Sequence, residues 1–158
     1  MRIAGTKSCS FVNGPGVRYV IFMQGCPHHC EGCHNPETWD FDGGRFVTNS
    51  DLLLDITPHQ HISGITISGG EPFAQEDALE DFLFYLKPIA DFKKWDIWLY
   101  TGYEYEDIKN SKVLDYVDVL VTGKFEKDKL VTGEWYGSTN QKIIYLKDKK
   151  TKRQKERR

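Results

Sequence analysis

The chain has 158 residues, of which 39% are hydrophobic and 28% are charged, and its net charge is −2. This length fits one domain with a core of its own, and the composition excludes a collagen-like, coiled-coil or wholly disordered chain. No apolar run approaches the ~18 residues that a membrane span needs. Residues 1–10 lack the apolar segment of a secretory signal, so we expect a cytoplasmic protein, or one of the host cytoplasm if its source is a virus.

Charge is distributed unevenly along the chain. Residues 147–158 contain eight Lys or Arg against two acidic residues, whereas residues 1–146 carry 13 basic and 21 acidic residues. We therefore predict one acidic domain over 1–146 and a flexible basic tail over 147–158. Basic tails can contact nucleic acid, but this one has no aromatic residues to stack on bases, so a solvated terminus is the favoured interpretation.

Five apolar runs, rich in β-branched and aromatic residues, predict buried strands. In chain order they are Arg18–Gln24, Ile62–Ser68, Asp96–Tyr100, Tyr116–Val121 and Gln141–Leu146. Near-continuous apolar runs of this length are typical of strands that are covered on both faces, as in parallel sheets.

Helices are predicted between these strands. Ser50 is the expected N-cap of a helix over Asp51–Ile56, and Pro58 would stop that helix. A second helix over Gln75–Leu86 has its apolar residues on one face, and a shorter helix is expected over Glu104–Leu114. The alternation predicts an α/β fold. A complete eight-stranded barrel needs ~250 residues, so we expect a partial (β/α) barrel of about five mostly parallel strands.

Polar or glycine-rich segments follow four of the five predicted strands. They are Gly25-Cys26, Gly69-Gly70-Glu71, Thr101-Gly102-Tyr103 and Thr122-Gly123-Lys124. Ligands of parallel α/β sheets bind at the carboxyl ends of the strands. We therefore expect the active site at this edge of the sheet.

Three of the four cysteines follow the first of these strands with the spacing Cys-x3-Cys-x2-Cys. They are Cys26, Cys30 and Cys33. Three thiolates on one short loop can bind three irons of a cubane iron–sulfur cluster, which usually has four cysteine ligands. The fourth iron would then be open to a substrate, so the count of three indicates catalysis rather than electron transfer alone.

Two other metal sites also fit these cysteines. A structural zinc site would take His28, His29 or His34 as its fourth ligand, although zinc sites usually contain two separated ligand pairs. Such a zinc module, with its basic tail on nucleic acid, is the non-enzymatic alternative. A closed cluster with Cys9 as fourth ligand would make a ferredoxin-like carrier. We expect Cys9 to be a buried or incidental thiol, and His28 and His29 to support the loop or lie at the surface.

A glycine pair follows the second predicted strand. Gly69 and Gly70 let the backbone approach a ligand closely and leave its N–H and C=O groups free to bind it. The adjacent Glu71 can hold an ammonium group through a charge-assisted hydrogen bond. Glycine pairs after strands are often only tight turns, but beside the cysteine loop this pair indicates a ligand site.

These motifs together resemble the radical S-adenosylmethionine (SAM) superfamily, which is marked by Cys-x3-Cys-x2-Cys and by Gly-Gly-Glu on the next strand. The segment Asn13–Arg18, NGPGVR, is similar to the leading segment of the glycyl-radical-activating enzymes. The resemblance is closest to the activases of anaerobic ribonucleoside-triphosphate reductase. It extends over about residues 12–146 through VNGPGVR, QGCPHHCEGCHNPETW, ISGGEPF, DIWLYTGY, VDVLVTGKF and STNQKII.

The resemblance implies a [4Fe-4S] cluster, SAM as cosubstrate on its open iron, and a role for each matching residue. The implied cluster ligands are Cys26, Cys30 and Cys33. The residues implied to orient the methionine amino group of SAM are Gly69, Gly70 and Glu71. The residues implied to lie beside the adenine are Gly32, Cys33 and His34. The residues implied to reach the ribose or carboxylate of SAM are Thr101 and Lys124.

The implied reaction is reductive cleavage of SAM to methionine and a 5′-deoxyadenosyl radical, which takes hydrogen from a backbone glycine of the reductase large subunit. A flavodoxin- or ferredoxin-type protein would supply the electron. The open side of a partial barrel would admit the glycine loop of the reductase, although oligomerisation could also complete the barrel. The alternative is an activase of another glycyl-radical enzyme, such as a lyase.

Overall fold

A seven-stranded mixed sheet organises the chain in the computed structural model, which describes residues 1–146. The strands are β1 Arg2–Ser10, β2 Arg18–Met23, β3 Arg45–Phe46, β4 Gly64–Gly69, β5 Asp96–Tyr100, β6 Val119–Thr122 and β7 Lys142–Tyr145. Their spatial order is β3-β1-β2-β4-β5-β6-β7. Strands β2, β4, β5 and β6 run parallel, whereas β1, β3 and β7 are antiparallel to their neighbours. The basic tail predicted over 147–158 lies outside the described residues.

The α/β class is confirmed, and each of the five predicted strands is present with bounds shifted by at most three residues. The prediction of about five strands was too low, because β1 and β3 extend the sheet beyond β2. The partial barrel is not confirmed. Over residues 1–146 the sheet is open, with β3 at one edge and β7 at the other.

The helix α1, Asn49–Ile56, begins two residues earlier than predicted. Its N-cap is Thr48 and not Ser50. The Thr48 hydroxyl accepts from the backbone N–H of Asp51 at 3.1 Å, and the Asp51 carboxylate accepts from the backbone N–H of Thr48 at 3.0 Å. This reciprocal capping box satisfies two donors at the helix start, which explains why the helix begins here.

The other two predicted helices also differ from expectation in extent. Helix α2, Glu76–Lys93, continues through Pro88 and is followed by the C-cap residue Lys94, which has the left-handed conformation. The segment predicted as a helix over Glu104–Leu114 instead splits into α3, Tyr105–Ile108, and a 3-10 turn. No helix in this described part of the chain is long and apolar enough to cross a membrane.

The two faces of the sheet carry different residues. On one face, side chains such as Ile67 and Leu99 join the main core with the apolar residues of α1 and α2. Alternate residues point to the other face, where Trp98, Val119 and Val121 form a smaller cluster. Within residues 1–146 the helices pack on the first face, and loops lie over the second face, which is called here the open face.

Buried Arg18 fastens one of these loops across the open face. Its guanidinium donates to the Asp96 carboxylate and, at 3.1 Å, to the Thr66 hydroxyl. The Thr66 hydroxyl in turn donates to the backbone carbonyl of Asn13 at 2.7 Å. The glycine-rich segment before β2 is therefore held over the sheet.

Candidate active site

One cavity of about 580 Å³ lies over the open face and the carboxyl ends of β2, β4 and β5. Eight of the ten residues singled out in the sequence line it: Cys26, Cys30, Cys33, His34, Gly69, Gly70, Glu71 and Thr101. The other two lie elsewhere. Gly32 is exposed and lies beside the Lys127 side chain, and the exposed Lys124 lines a second cavity with His28 and Tyr103.

The cysteine loop, defined here as residues 26–38, leaves and rejoins the fold at one place. The Gly25 N–H donates to the Thr38 carbonyl at 2.8 Å, and the Cys26 N–H donates to the Trp39 carbonyl at 3.2 Å. The two ends of the loop are thus joined by backbone hydrogen bonds. Because its ends are joined, this long loop can contain three cysteines without changing the pairing of the strands.

All three thiols of the loop are free and half-buried. Burial raises the pKa of Cys26 above its ordinary value, and backbone hydrogen bonds from His28 and His29 act in the opposite direction. Burial likewise raises the pKa of Cys30. Metal binds the thiolate, so assembly of a metal group here must displace protons, and backbone donors that favour thiolate assist it.

The three histidines of the loop each contact an aromatic ring. The ring centroids are 4.7 Å apart for His28 and Tyr103, 4.7 Å for His29 and Trp39, and 5.0 Å for His34 and Phe125. Over residues 1–146 no three His, Cys, Asp or Glu side chains converge on one point, as a single zinc ion requires. A cubane would give each thiolate a different iron, and Cys26, Cys30 and Cys33 line one cavity.

Cys9 is exposed on β1 and does not line this cavity. It is therefore not a buried thiol, and the described geometry does not favour a closed cluster with Cys9 as fourth ligand. Among the described residues that line the cavity, three are cysteines: Cys26, Cys30 and Cys33. This set fits a [4Fe-4S] cluster with one open iron.

Gly69 and Gly70 bring the end of β4 against the root of the cysteine loop. Gly69 has φ +94°, and a Cβ there would lie 2.6 Å from the Met23 backbone nitrogen. A Cβ on Gly70 would lie 2.5 Å from the Gly25 carbonyl oxygen. Two hydrogen bonds hold the glycine pair beside Cys26. The Gly70 N–H donates to the Met23 carbonyl at 2.9 Å, and the Glu71 N–H donates to the Gly25 carbonyl at 2.8 Å.

Sequence analysis did not single out several other residues that line the cavity. Phe22, Ser68 and Tyr100 occupy the open face of β2, β4 and β5. The period of two along the predicted strands could have placed them there. The Tyr100 hydroxyl also donates to the Trp135 carbonyl at 2.7 Å and holds a later loop, with Trp135 and Tyr136, against the cavity.

The chain is similar to a known protein family and to several named proteins. The family model described as "4Fe-4S single cluster domain" matches residues 12–144. The chain is also 41% identical to the anaerobic ribonucleoside-triphosphate reductase-activating protein of Enterobacteria phage T4, over 85% of this chain and 88% of that protein. The chain belongs to the family of anaerobic ribonucleoside-triphosphate reductase-activating proteins.

Cellular members of this activating-protein family are similar to the chain as well. The proteins of that name from Salmonella typhimurium and Escherichia coli K12 are each 34% identical to it, over 86% of this chain and 93% of theirs. The family resemblance of the sequence motifs is thereby confirmed. The family-model match over residues 12–144 contains the cysteine loop and the glycine pair.

Proposed function

We propose that the protein activates an anaerobic ribonucleoside-triphosphate reductase by generating a glycyl radical on its large subunit. The observation that carries this proposal is that three half-buried thiols and the Gly-Gly-Glu segment line one cavity. Bound there, a [4Fe-4S] cluster with SAM would supply one-electron reductive cleavage of SAM to methionine and a 5′-deoxyadenosyl radical, which would take hydrogen from a backbone glycine of the reductase.

The chain would bind and orient these groups through residues of three strand ends. The thiolates of Cys26, Cys30 and Cys33 would hold the cluster. The backbone of Gly69–Glu71 would orient the methionine amino group of SAM, because its position beside Cys26 is fixed by the contacts with β2. His34 lines the same cavity and would lie beside the adenine.

Three of the sequence assignments need a more indirect role. The Thr101 hydroxyl donates to Glu71 at 2.8 Å and accepts from the Tyr103 N–H at 3.1 Å, so it orders the strand end. Gly32 would act only through the shape of the loop. Lys124 would approach SAM from the second cavity, behind His28.

The open face supports the proposed partners. In the described residues 1–146, loops cover the cavity, and a glycine loop of the reductase could enter between them. A reduced cluster requires a reducing compartment, which supports the proposed cytoplasmic location and a flavodoxin- or ferredoxin-type electron donor. Oligomerisation at the open sheet edges is compatible with this arrangement.

The test is anaerobic. The protein is reconstituted with iron and sulfide, reduced with dithionite, and mixed with SAM and the reductase, and 5′-deoxyadenosine and the glycyl-radical EPR signal are measured. Cys30→Ala should lose the visible cluster absorbance and both products, whereas Cys9→Ala, at an exposed thiol, should keep them. Tightly held zinc without cluster absorbance would overturn the proposal. Formation of 5′-deoxyadenosine with a radical only on a lyase would assign the chain to the alternative partner.

A further inference from the structure

The carboxylate of Glu71 is buried and accepts hydrogen bonds from four donors of the protein. Its side chain is 1% exposed. Its donors are the Phe73 N–H at 3.0 Å, the Thr101 hydroxyl at 2.8 Å, the Gly102 N–H at 2.8 Å and His28 Nε2 at 2.8 Å. Each oxygen accepts from two of these donors, and a carboxylate has about four acceptor sites. No site is left for the ammonium group that the sequence motif predicted on Glu71.

His28 is the one donor that comes from the cysteine loop. It lies between Cys26 and Cys30, and its side chain is only 7% exposed. Because a carboxylate can only accept, Nε2 carries the proton of this bond. The ring also contacts Tyr103 edge to face.

Gly102 makes room for this ring. A Cβ on Gly102 would lie 2.4 Å from the His28 ring, closer than any real contact allows. The position of the His28 ring therefore depends on Gly102, which follows β5, as well as on Glu71. The described backbone–backbone hydrogen bonds of the cysteine loop lie near its ends and in the turn from Cys30 to Cys33. Between the first two thiols, the His28 side chain bonds the loop to Glu71.

We propose that His28 is a positioning residue, and that its bond to Glu71 fixes the cysteine loop against the ends of β4 and β5 and so sets the spacing of the three thiols. Glu71 then acts on the site through His28 and does not offer its charge to SAM. The inference rests on the proposed function for the group that the thiols hold. The contact itself exists without that group.

Two substitutions of His28 separate its hydrogen bond from its ring. His28→Phe keeps a ring against Tyr103 and removes the donor, whereas His28→Gln removes the ring and keeps an N–H donor at similar reach. In the reconstituted protein without SAM or reductase, transfer of iron to a chelator should be about ten-fold faster for the Phe variant. The Gln variant should stay near the wild-type rate and reproduce the wild-type EPR spectrum of the reduced cluster, and the Phe spectrum should differ.

Variants of the two partners test the same bond from its other side. Glu71→Gln should release iron at least as fast as His28→Phe, and the double variant should be no faster than Glu71→Gln alone. Gly102→Ala should displace His28 by steric contact and reproduce the Phe phenotype. Since Glu71→Gln can fail to fold, the His28 pair decides the matter without it.

Hydrogen exchange of the metal-free protein keeps this test separate from the proposed function. His28→Phe should speed exchange of residues 26–34 and of the Gly102 N–H, while His28→Gln should not, whether or not the protein makes radicals. The proposal is overturned if the Phe variant matches wild type in exchange and iron release. It is also overturned if Glu71→Gln weakens SAM binding while iron release is unchanged, because Glu71 would then contact SAM itself.

Discussion

Tyr19 lies fully buried on the core face of β2, and its hydroxyl donates to the Asp55 carboxylate. Burial, reinforced by this bond, raises the pKa of Tyr19 to about 12. Burial also raises the pKa of Tyr100. Both phenols therefore stay protonated at pH values where an unfolded chain has begun to lose its tyrosine protons.

This difference predicts a loss of stability at alkaline pH. The contribution of Tyr19 is complete below its unfolded pKa of about 10 and falls as the pH rises towards 12, because there the unfolded chain binds fewer protons. We expect Tm to fall more steeply between about pH 10 and pH 12 in wild type than in Tyr19→Phe. Tyr85→Phe, at an exposed position of α2, is the matched control for thermal unfolding. Equal slopes for wild type and Tyr19→Phe would contradict this account.

Most residues that the sequence motifs singled out line one cavity, but the motifs do not show how these residues are connected. The cysteine spacing and the glycine pair carry their own chemical signal, so these residues were found directly. The bond between His28 and Glu71 joins residues that are 43 positions apart. It depends on the space left by Gly102, which no local pattern reveals.

Among the elements, α1 offers a direct test of its capping box. Thr48→Ala removes the side chain that accepts from Asp51, and we expect the free energy of unfolding to fall by about 1 kcal/mol in urea denaturation. Ser50→Ala is the control, because Ser50 lies inside the helix and should change stability by less than about 0.5 kcal/mol. A larger loss of stability in Ser50→Ala than in Thr48→Ala would indicate that Ser50 is the N-cap.

The strands divide into those the sequence could predict and those it could not. Strands β2, β4, β5 and β6 are covered on both faces and read as continuous apolar runs. Strand β1, RIAGTKSCS, exposes much of its length and has few apolar residues, so it gives no such signal. Strand β3 has two residues and is exposed, and only its pairing with β1 defines it.

The long segment after β5 shows how tertiary contacts override a helical pattern. Residues 104–114 have helical spacing, but Ser111 caps a new turn by accepting from the Val113 N–H at 3.2 Å. Its hydroxyl also donates to Glu76 of α2 at 2.5 Å. Serine competes with helical hydrogen bonding in this way, and the contact with α2 fixes where α3 stops.

For the whole molecule, we propose that residues 1–146 fold as an independent domain. Leu146 is 5% exposed, and its N–H donates to the Asp118 carbonyl at 2.9 Å, so a chain that ends here keeps every described contact of β7. A 1–146 fragment should unfold within about 2 °C of the full chain and take up the same iron.

The matched control is a fragment of residues 1–141, which lacks β7. It exposes the edge of β6 and removes Leu146 from the core, so it should lose cooperative unfolding. Similar melting of the two fragments would show that β7 is dispensable. A large loss of stability in the 1–146 fragment would show that the domain extends into the last residues.

Because its two ends are hydrogen-bonded to each other, the cysteine loop can be exchanged for another loop. The backbones of Gly25 and Cys26 are hydrogen-bonded to those of Thr38 and Trp39, so the two ends of the intervening loop are already adjacent. A short turn grafted across this root should leave the register of β2 and β4 unchanged. Cysteine loops of other lengths could then be inserted at the same place in the sheet. The metal-binding loop and the sheet could therefore have changed independently during evolution.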